Sequence, residues 1–168
     1  MKKIKHAIAA AMILLCCQSC GIYSFSGTSI QADIETVTIN FCEYKALTVN
    51  PTLANNLTEA MKDKFNKLTR LEQVEYDGDL DISWAVTGYS VSTASVTAEE
   101  TAAMNRLTVN VKVQFTNKKY PADNLENSFS AYADFPSTEL LDAVQDSLCE
   151  EIVEKLVDDI FTACVAQW

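Results

Sequence analysis

Apolar and polar residues alternate along this chain with periods that change in a fixed order. From Ile34 to Cys42 the period is two, with Val37, Ile39 and Phe41 on one side and Thr36, Thr38 and Asn40 on the other, which predicts a half-buried strand. A loop from Glu43 to Val49 follows. Asn50-Pro51 then supplies a cap and a proline suited to the first helical position. Leu53, Leu57, Ala60, Met61, Phe65 and Leu68 recur at helical spacing with Lys62, Lys64 and Lys67 opposite, so an amphipathic helix of about five turns is predicted.

Asp77-Gly78-Asp79 reads as a turn, closing a short strand at Glu72 to Tyr76 if one forms. Period two resumes with Leu80, Ile82, Trp84 and Val86 and runs through Gly88 to Tyr89 and Val91; a glycine inside a strand implies a bulge or a close backbone approach. Ser92 to Met104, small and polar with Glu99 and Glu100 side by side, reads as a long loop at the end of a hairpin. Leu107, Val109, Val111, Val113 and Phe115 mark the clearest strand, with Arg106, Thr108, Asn110, Lys112, Gln114 and Thr116 opposite. A turn at Asn117 to Asn124 leads to a last strand carrying Leu125, Phe129, Ala131, Ala133 and Phe135. Each strand has one apolar and one polar face, so the sheet is covered on one side only.

Ser137 reads as the cap of a final helix that runs to Ala166 without glycine or proline. Leu140, Val144, Leu148, Ile152, Leu156, Ile160, Cys164 and Trp168 form one apolar row at spacing four, and Cys149, Val153, Val157, Phe161 and Val165 form a second beside it. Asp142, Asp146, Glu150, Glu154 and Asp158 form an acidic ridge on the far side. Trp84 and Trp168, both on apolar faces, read as core residues. The order is β-α-β-β-β-α. The predicted fold is α+β: a two-layer sandwich with two helices packed on one face of a mainly antiparallel four-stranded sheet, five-stranded if the short strand joins it.

The first twenty-one residues, MKKIKHAIAAAMILLCCQSCG, carry no such pattern. Lys2, Lys3 and Lys5 precede an uncharged run from Ala7 to Leu15, the order of a secretory signal, and that run is too short to span a bilayer, which takes roughly 20 residues. Gln18-Ser19-Cys20-Gly21 resembles the lipobox of a bacterial lipoprotein, where cleavage precedes a cysteine whose thiol is lipidated, although Cys17 stands where a large aliphatic residue is preferred. The expected organisation is therefore a signal peptide over residues 1–19, a lipidated tether over 20–33 attached at Cys20, and one α/β domain over 34–168. In similar lipoproteins an aspartate after the cysteine marks inner-membrane retention, and acidic residues just past it accompany surface export in the Bacteroides type. Gly21 to Ser26 contains neither, which places the chain on the outer membrane, facing the periplasm.

Charge and composition narrow the chemistry. The signal holds three of the 13 basic residues and none of the 23 acids, so the mature chain has 10 against 23, a net charge of −13. Nucleic acid is excluded as a natural partner, and an anionic ligand needs a local basic cluster. The one histidine, His6, lies in the signal, which removes histidine bases, histidine triads and the usual zinc sites from the mature protein. No metal, cofactor or catalytic residue is indicated, and Glu99 and Glu100 have no evident catalytic partner. Cys42, Cys149 and Cys164 allow at most one disulfide, from Cys42 to one of the other two; otherwise they are buried thiols.

CGIYSFSG at the lipidation site, VNPTLANNLTEAMKDKF in the first helix, RLTVNVKVQFTNKK in the central strand, SAYADF before the last helix and EEIVEKLVDDIF within it resemble the Bacteroides-type LptE proteins, lipoproteins of lipopolysaccharide assembly. The resemblance implies a non-enzymatic subunit that sits inside the LptD β-barrel of the outer membrane, helps that barrel mature and assists delivery of lipopolysaccharide to the cell surface. It also implies basic side chains for the anionic ligand, and the candidates here are Arg106, Lys112, Lys118 and Lys119. Arg106 lies too far along the strand from Lys118 and Lys119 to share one phosphate with them. The acidic ridge is either a solvated face or a contact with a polar or cationic barrel wall. The loop at Ser92 to Met104 is either a linker or a tip reaching through the barrel. A different reading is a lipoprotein that carries a lipid or other amphiphile without a barrel partner; it requires an apolar pocket of several hundred Å³.

Overall fold

The computed structural model describes residues 30–94 and 103–165. Cys20 and its tether up to Ser29, most of the Ser92 to Met104 loop, and Trp168 lie outside the described residues. In chain order the elements are β1 (Thr36–Ile39), β2 (Glu43–Tyr44), α1 (Leu53–Leu68), β3 (Glu72–Gln73), β4 (Leu80–Thr93), β5 (Met104–Asn117), a 3₁₀ turn at Pro121–Asp123, β6 (Leu125–Pro136) and α2 (Leu141–Val165).

The two-helix α+β plan holds, but the sheet is mixed and has six strands, in the order β3-β1-β4-β5-β6 with β2 also paired to β4. β4, β5 and β6 form the antiparallel meander that the alternation predicts. β1 pairs parallel with both β3 and β4, and β2 pairs parallel with β4. The physical reason is α1: a helix between two strands returns the chain to the end where it started, so the next strand runs the same way. The helices run side by side in one direction, Asn50 meeting Cys149 near their starts and Phe65 stacking edge-to-face on Phe161 further down, ring centroids 5.0 Å apart. The domain thus has a hairpin end, where β4 passes to β5, and an entry end, where the chain arrives at Ile30 and β5 turns to β6.

β1 stops at Ile39, before the predicted alternation ends. Asn40 turns there, its Nδ2 donating to Asp81 Oδ1, the Ile82 carbonyl and Ser83 Oγ, while its own carbonyl accepts from Trp84 Nε1 at 2.8 Å. The parity shifts by one as a result: Cys42 is buried and Phe41, expected in the core, is 61% exposed. Trp84 is buried as expected. The bulge expected at Gly88 is present, the register shifting between Val86 and Gly88. A Cβ on Gly88 would lie 2.6 Å from Asn110 Nδ2, so a larger residue there requires the Asn110 side chain to move.

Asn50 does act as a cap, accepting at Oδ1 from the backbone N–H groups of Thr52 and Leu53, although regular helix starts only at Leu53. Ser137 does not cap α2; its N–H donates to the Ala103 carbonyl, and the helix begins four residues later. Leu140 therefore stands ahead of the helix and is 80% exposed, not part of the buried row. From Leu148 to Val165 both apolar rows are buried as predicted. They cover Leu107, Val109, Val111, Val113 and Phe115 of β5, all buried, together with Leu53, Leu57, Met61 and Phe65 of α1.

The expected Asp77-Gly78-Asp79 turn ties the entry end together. Asp77 takes φ 62°, a left-handed conformation that aspartate tolerates better than most side chains. Asp79 Oδ2 accepts from the N–H groups of Glu35 and Thr36 at 2.9 and 3.2 Å, and Thr36 Oγ1 accepts in return from the Asp79 N–H. These bonds, with help from Lys119, hold the Asp79 carboxyl down at about 2. An aspartate ordinarily titrates at about 3.9, so this stabilisation is complete above about pH 4 and is lost as the pH falls towards about 2. Asp79→Asn should lower unfolding free energy by about 2 kcal/mol at about pH 7 and flatten the loss of stability between about pH 4 and 2, as read by denaturant melts across that range. At Gly78 a Cβ would lie 2.7 Å from the Thr38 amide nitrogen, a backbone atom that cannot yield cheaply. Gly78→Ala should therefore cost at least about 2 kcal/mol by the same melts, with the helical circular dichroism unchanged.

Candidate functional site

The uncovered face of the sheet carries the polar residues of β4, β5 and β6, and the two-residue period places Arg106 and Lys112 of β5 there, six positions and ~20 Å apart. Lys118 and Lys119 lie just past β5, at the entry end. The structure does not bring the four cations together; it gives each an acid. Arg106 forms a two-pronged pair with Asp134, directly opposite in the ladder, with nitrogen–oxygen distances of 2.7 and 2.8 Å. Lys112 pairs with Glu126 at 2.6 Å, one pleat away from its own cross-strand partner Ser128. Lys118 reaches Asp77 at 2.6 Å, and Lys119 reaches Asp79 at 3.1 Å and also donates to the Asp33 carbonyl.

These pairs set the local electrostatics. The hydrogen bond from Arg106 holds the Asp134 carboxyl below its usual range, and Lys112 and Lys118 do the same for Glu126 and Asp77. The bond to Asp79 raises Lys119. All four acids are thus ionised under any ordinary condition, and the open face is a ladder of opposite charges and not a basic patch.

Two features of this face escaped sequence reasoning. The Arg106 guanidinium lies 3.7 Å from the centre of the Tyr132 ring, and Lys155, reaching across from α2, donates to the Tyr132 carbonyl and stands 5.8 Å from the same ring. The stack follows from cross-strand register, which alternation alone does not fix. Further along the face, the break after β1 leaves a depression of about 380 Å³ lined by Phe41, Ser83, Ala85 and the Lys112–Glu126 pair. A sequence signal did exist there, the crowding of Asn40 and Phe41 just before a cysteine, but it is too weak to separate from an ordinary strand.

Neither redox nor nucleophilic chemistry is built into the thiols. Cys42, Cys149 and Cys164 are buried and unbridged, as the buried-thiol reading expects, and burial pushes Cys42 and Cys164 up to about 12. Among the described residues no three histidine, cysteine, aspartate or glutamate side chains come together to hold a metal ion, and no helix is long and apolar enough to cross a membrane.

Beside the middle of β4 a loop from Lys45 to Val49 is held in place around Tyr44. The Tyr44 hydroxyl donates to the Thr48 carbonyl and accepts from the Asn50 N–H, while the Lys45 N–H donates to the Val86 carbonyl. Burial raises the Tyr44 hydroxyl and pushes that of Tyr89, which donates to Gln145, up to about 12, so both remain protonated hydrogen-bond donors. The loop nonetheless presents Leu47 and Val49 to solvent, Leu47 completely.

No curated protein matches the chain in sequence. Among solved structures it is similar to the hypothetical protein CT253 of Chlamydia trachomatis, at 7% identity and a TM-score of 0.51 over 80% of this chain and 99% of that one. It is also similar to a minor lipoprotein of Acinetobacter baumannii, at 10% identity and a TM-score of 0.45 over 71% and 89%. An uncharacterized lipoprotein B of Nitrosomonas europaea gives 12% identity and a TM-score of 0.47 over 76% and 79%. At these identities the likeness concerns the fold alone. The model of the lipopolysaccharide-assembly family LptE matches residues 34–164, which is most of the chain, and the chain belongs to that family.

Proposed function

We propose that the protein is a non-enzymatic outer-membrane lipoprotein, anchored through Cys20 and facing the periplasm. In this reading it occupies the lumen of an LptD-type β-barrel, assists that barrel's assembly and takes part in passing lipopolysaccharide to the cell surface. The signal over residues 1–19 and the tether over 20–33 serve the anchor, and the domain from residue 34 onward serves the barrel.

Family membership supplies the process, and one observation carries the finer role: the sheet is covered on one face only, and the face left open is polar and ion-paired. A domain that fits within a barrel lumen needs such a face, because the inward positions of a barrel of this kind are polar. A carrier of free amphiphile would instead need an enclosed apolar chamber, and the buried apolar side chains here pack against one another in a single core cluster. The depression beside Phe41 is rimmed by Lys45, Glu43, Lys112 and Glu126, which suits a phosphorylated sugar better than an acyl chain.

Arg106, Lys112, Lys118 and Lys119 are assigned to the phosphates of lipopolysaccharide, with Arg106 and Lys112 as separate contacts ~20 Å apart. One pair lies on the open face and the other lies at the entry end, the same end at which the chain arrives from its tether. Because each cation already has a carboxylate, a phosphate must displace that carboxylate to bind. Glu126→Gln should therefore tighten lipopolysaccharide binding by the purified protein about threefold, whereas the double reversal Lys118→Glu/Lys119→Glu should weaken it about tenfold. Binding unchanged in both variants, with melts showing intact folds, removes these residues from the site. For the barrel partner, a mild-detergent pull-down of the tagged lipoprotein from its own outer membrane should recover a large β-barrel near one-to-one; recovery of the lipoprotein alone, or with lipid only, overturns the plug reading.

A further inference from the structure

At the depression on the open face, β4 contributes the small side chains of Ser83, Ala85 and Thr87, while the strands and loop on either side of it contribute long ones. Glu43 of β2 and Lys112 of β5 flank Ala85 directly in the ladder, so their backbones lie two strand spacings, ~10 Å, apart. The result is a trough that follows β4 from Ser83 to Thr87, a length of ~13 Å.

The two ends of the trough differ in chemistry. At the Ser83 end stands the Phe41 ring, most of it exposed. Its backbone is fixed from both sides: Asn40 is bonded to three groups on β4, and the N–H of the buried Cys42 donates to Thr58 Oγ1 at 3.0 Å. Phe41 thus offers a flat apolar surface at a set position and adds nothing to the core. Opposite Ser83 on β5 is Gln114, exposed, its amide without a hydrogen-bond partner among the described residues. Towards Thr87 the walls are charged. Lys45 pairs with Glu43 on one side and Lys112 with Glu126 on the other, and both lysine side chains are more than half exposed. An acyl chain laid here would strip water from four charges and an amide and offer them nothing in return. A sugar has an apolar C–H face and a rim of hydroxyls, and a phosphate attached to it takes up two lysines.

We infer that the trough is a subsite for one phosphorylated sugar, with the ring stacked on Phe41, its hydroxyls towards Gln114, and its phosphate between Lys45 and Lys112 in place of Glu43 and Glu126. Lys45 is thereby a ligand-binding cation that sequence reasoning passed over, and Phe41 sets the preference for a sugar phosphate over a free phosphate. The identity of the sugar phosphate rests on the lipopolysaccharide reading, whereas the chemistry of the trough does not.

The test titrates the nitrogen-labelled full-length lipoprotein in detergent with glucose 1-phosphate, glucose and inorganic phosphate, and then with intact lipopolysaccharide. Glucose 1-phosphate at about 1 mM should shift the amide resonances of Phe41, Ala85, Lys112 and Gln114; inorganic phosphate should shift Ala85 and Lys112 but not Phe41, and glucose should shift none of them. Phe41→Ala should weaken glucose 1-phosphate about fivefold, leave inorganic phosphate within about twofold and leave denaturant melts unchanged, and Phe41→Trp should restore binding. Lys45→Gln should weaken both anions about threefold. Intact lipopolysaccharide should displace the sugar phosphate. If lipopolysaccharide binds while these four resonances stay still and Phe41→Ala has no effect, the subsite is overturned and the lipopolysaccharide reading stands. If glucose 1-phosphate occupies the trough and lipopolysaccharide neither binds nor competes, the subsite stands and that reading falls. Equal shifts from inorganic phosphate and glucose 1-phosphate at Phe41, or shifts scattered over every exposed lysine, would also overturn the subsite.

Discussion

Five alternate side chains of β5, from Leu107 to Phe115, are sealed beneath two helices, and the remainder of the domain is arranged to keep them so. Burying a row of that kind removes several hundred Å² of apolar surface from water, a large share of the driving force for a domain of this size. The hydrophobic rows of α2 lie over β5 and β6, and Leu53, Leu57, Met61 and Phe65 of α1 close the same core over β1 and β3 and against α2. Because the helices lie on one side only, the opposite side chains of the same strand are committed to solvent or to a partner. The polar face that holds Arg106 and Lys112 is thus the necessary reverse of the core and not a separate invention.

The direction of α1 is the second constraint. Having left β2 at the hairpin end, the chain returns along α1 to the entry end and must start β3 and β4 there, parallel to β1. That return brings the Asp77-Gly78-Asp79 turn against Thr36 and Thr38, and the backbone approach at Gly78 leaves no space for a side chain. The polar lattice at the entry end is therefore a product of topology, and Lys118 and Lys119 are fixed by joining it.

Much of this was legible in the sequence, and the reasons are specific. β5 and the buried part of α2 read correctly because their amphipathic pattern is long and uninterrupted, so packing and periodicity agree. Gly88 announced its bulge because a residue without a side chain weakens a regular strand and so marks a place where the ladder is irregular. Phe41 misled because the period of two continues one step beyond the strand; β1 ends where the Asn40 side chain binds three groups on β4, a long-range event with only a weak local signature. Leu140 misled for the same reason, its spacing matching a helix that had not yet begun. The parallel pairing of β1 was hidden because strand direction follows from where a helix docks. At the candidate site the cations were legible as residues on a polar face, but their carboxylate partners were not, since Asp134 and Glu126 become neighbours only through the β5–β6 register.

The carboxylate ladder on the open face has a consequence for kinetics. In the proposed role, a phosphate arriving at Arg106 or Lys112 would replace an existing anion, so the free energy gained would be the difference between two similar contacts and would stay small. The displaced carboxylate remains tethered a few ångströms away and competes from the moment of capture. In the proposed role such a surface would act as an ion exchanger, accepting a charged cargo readily and releasing it without a separate input of energy, which suits a waypoint and would defeat a storage protein.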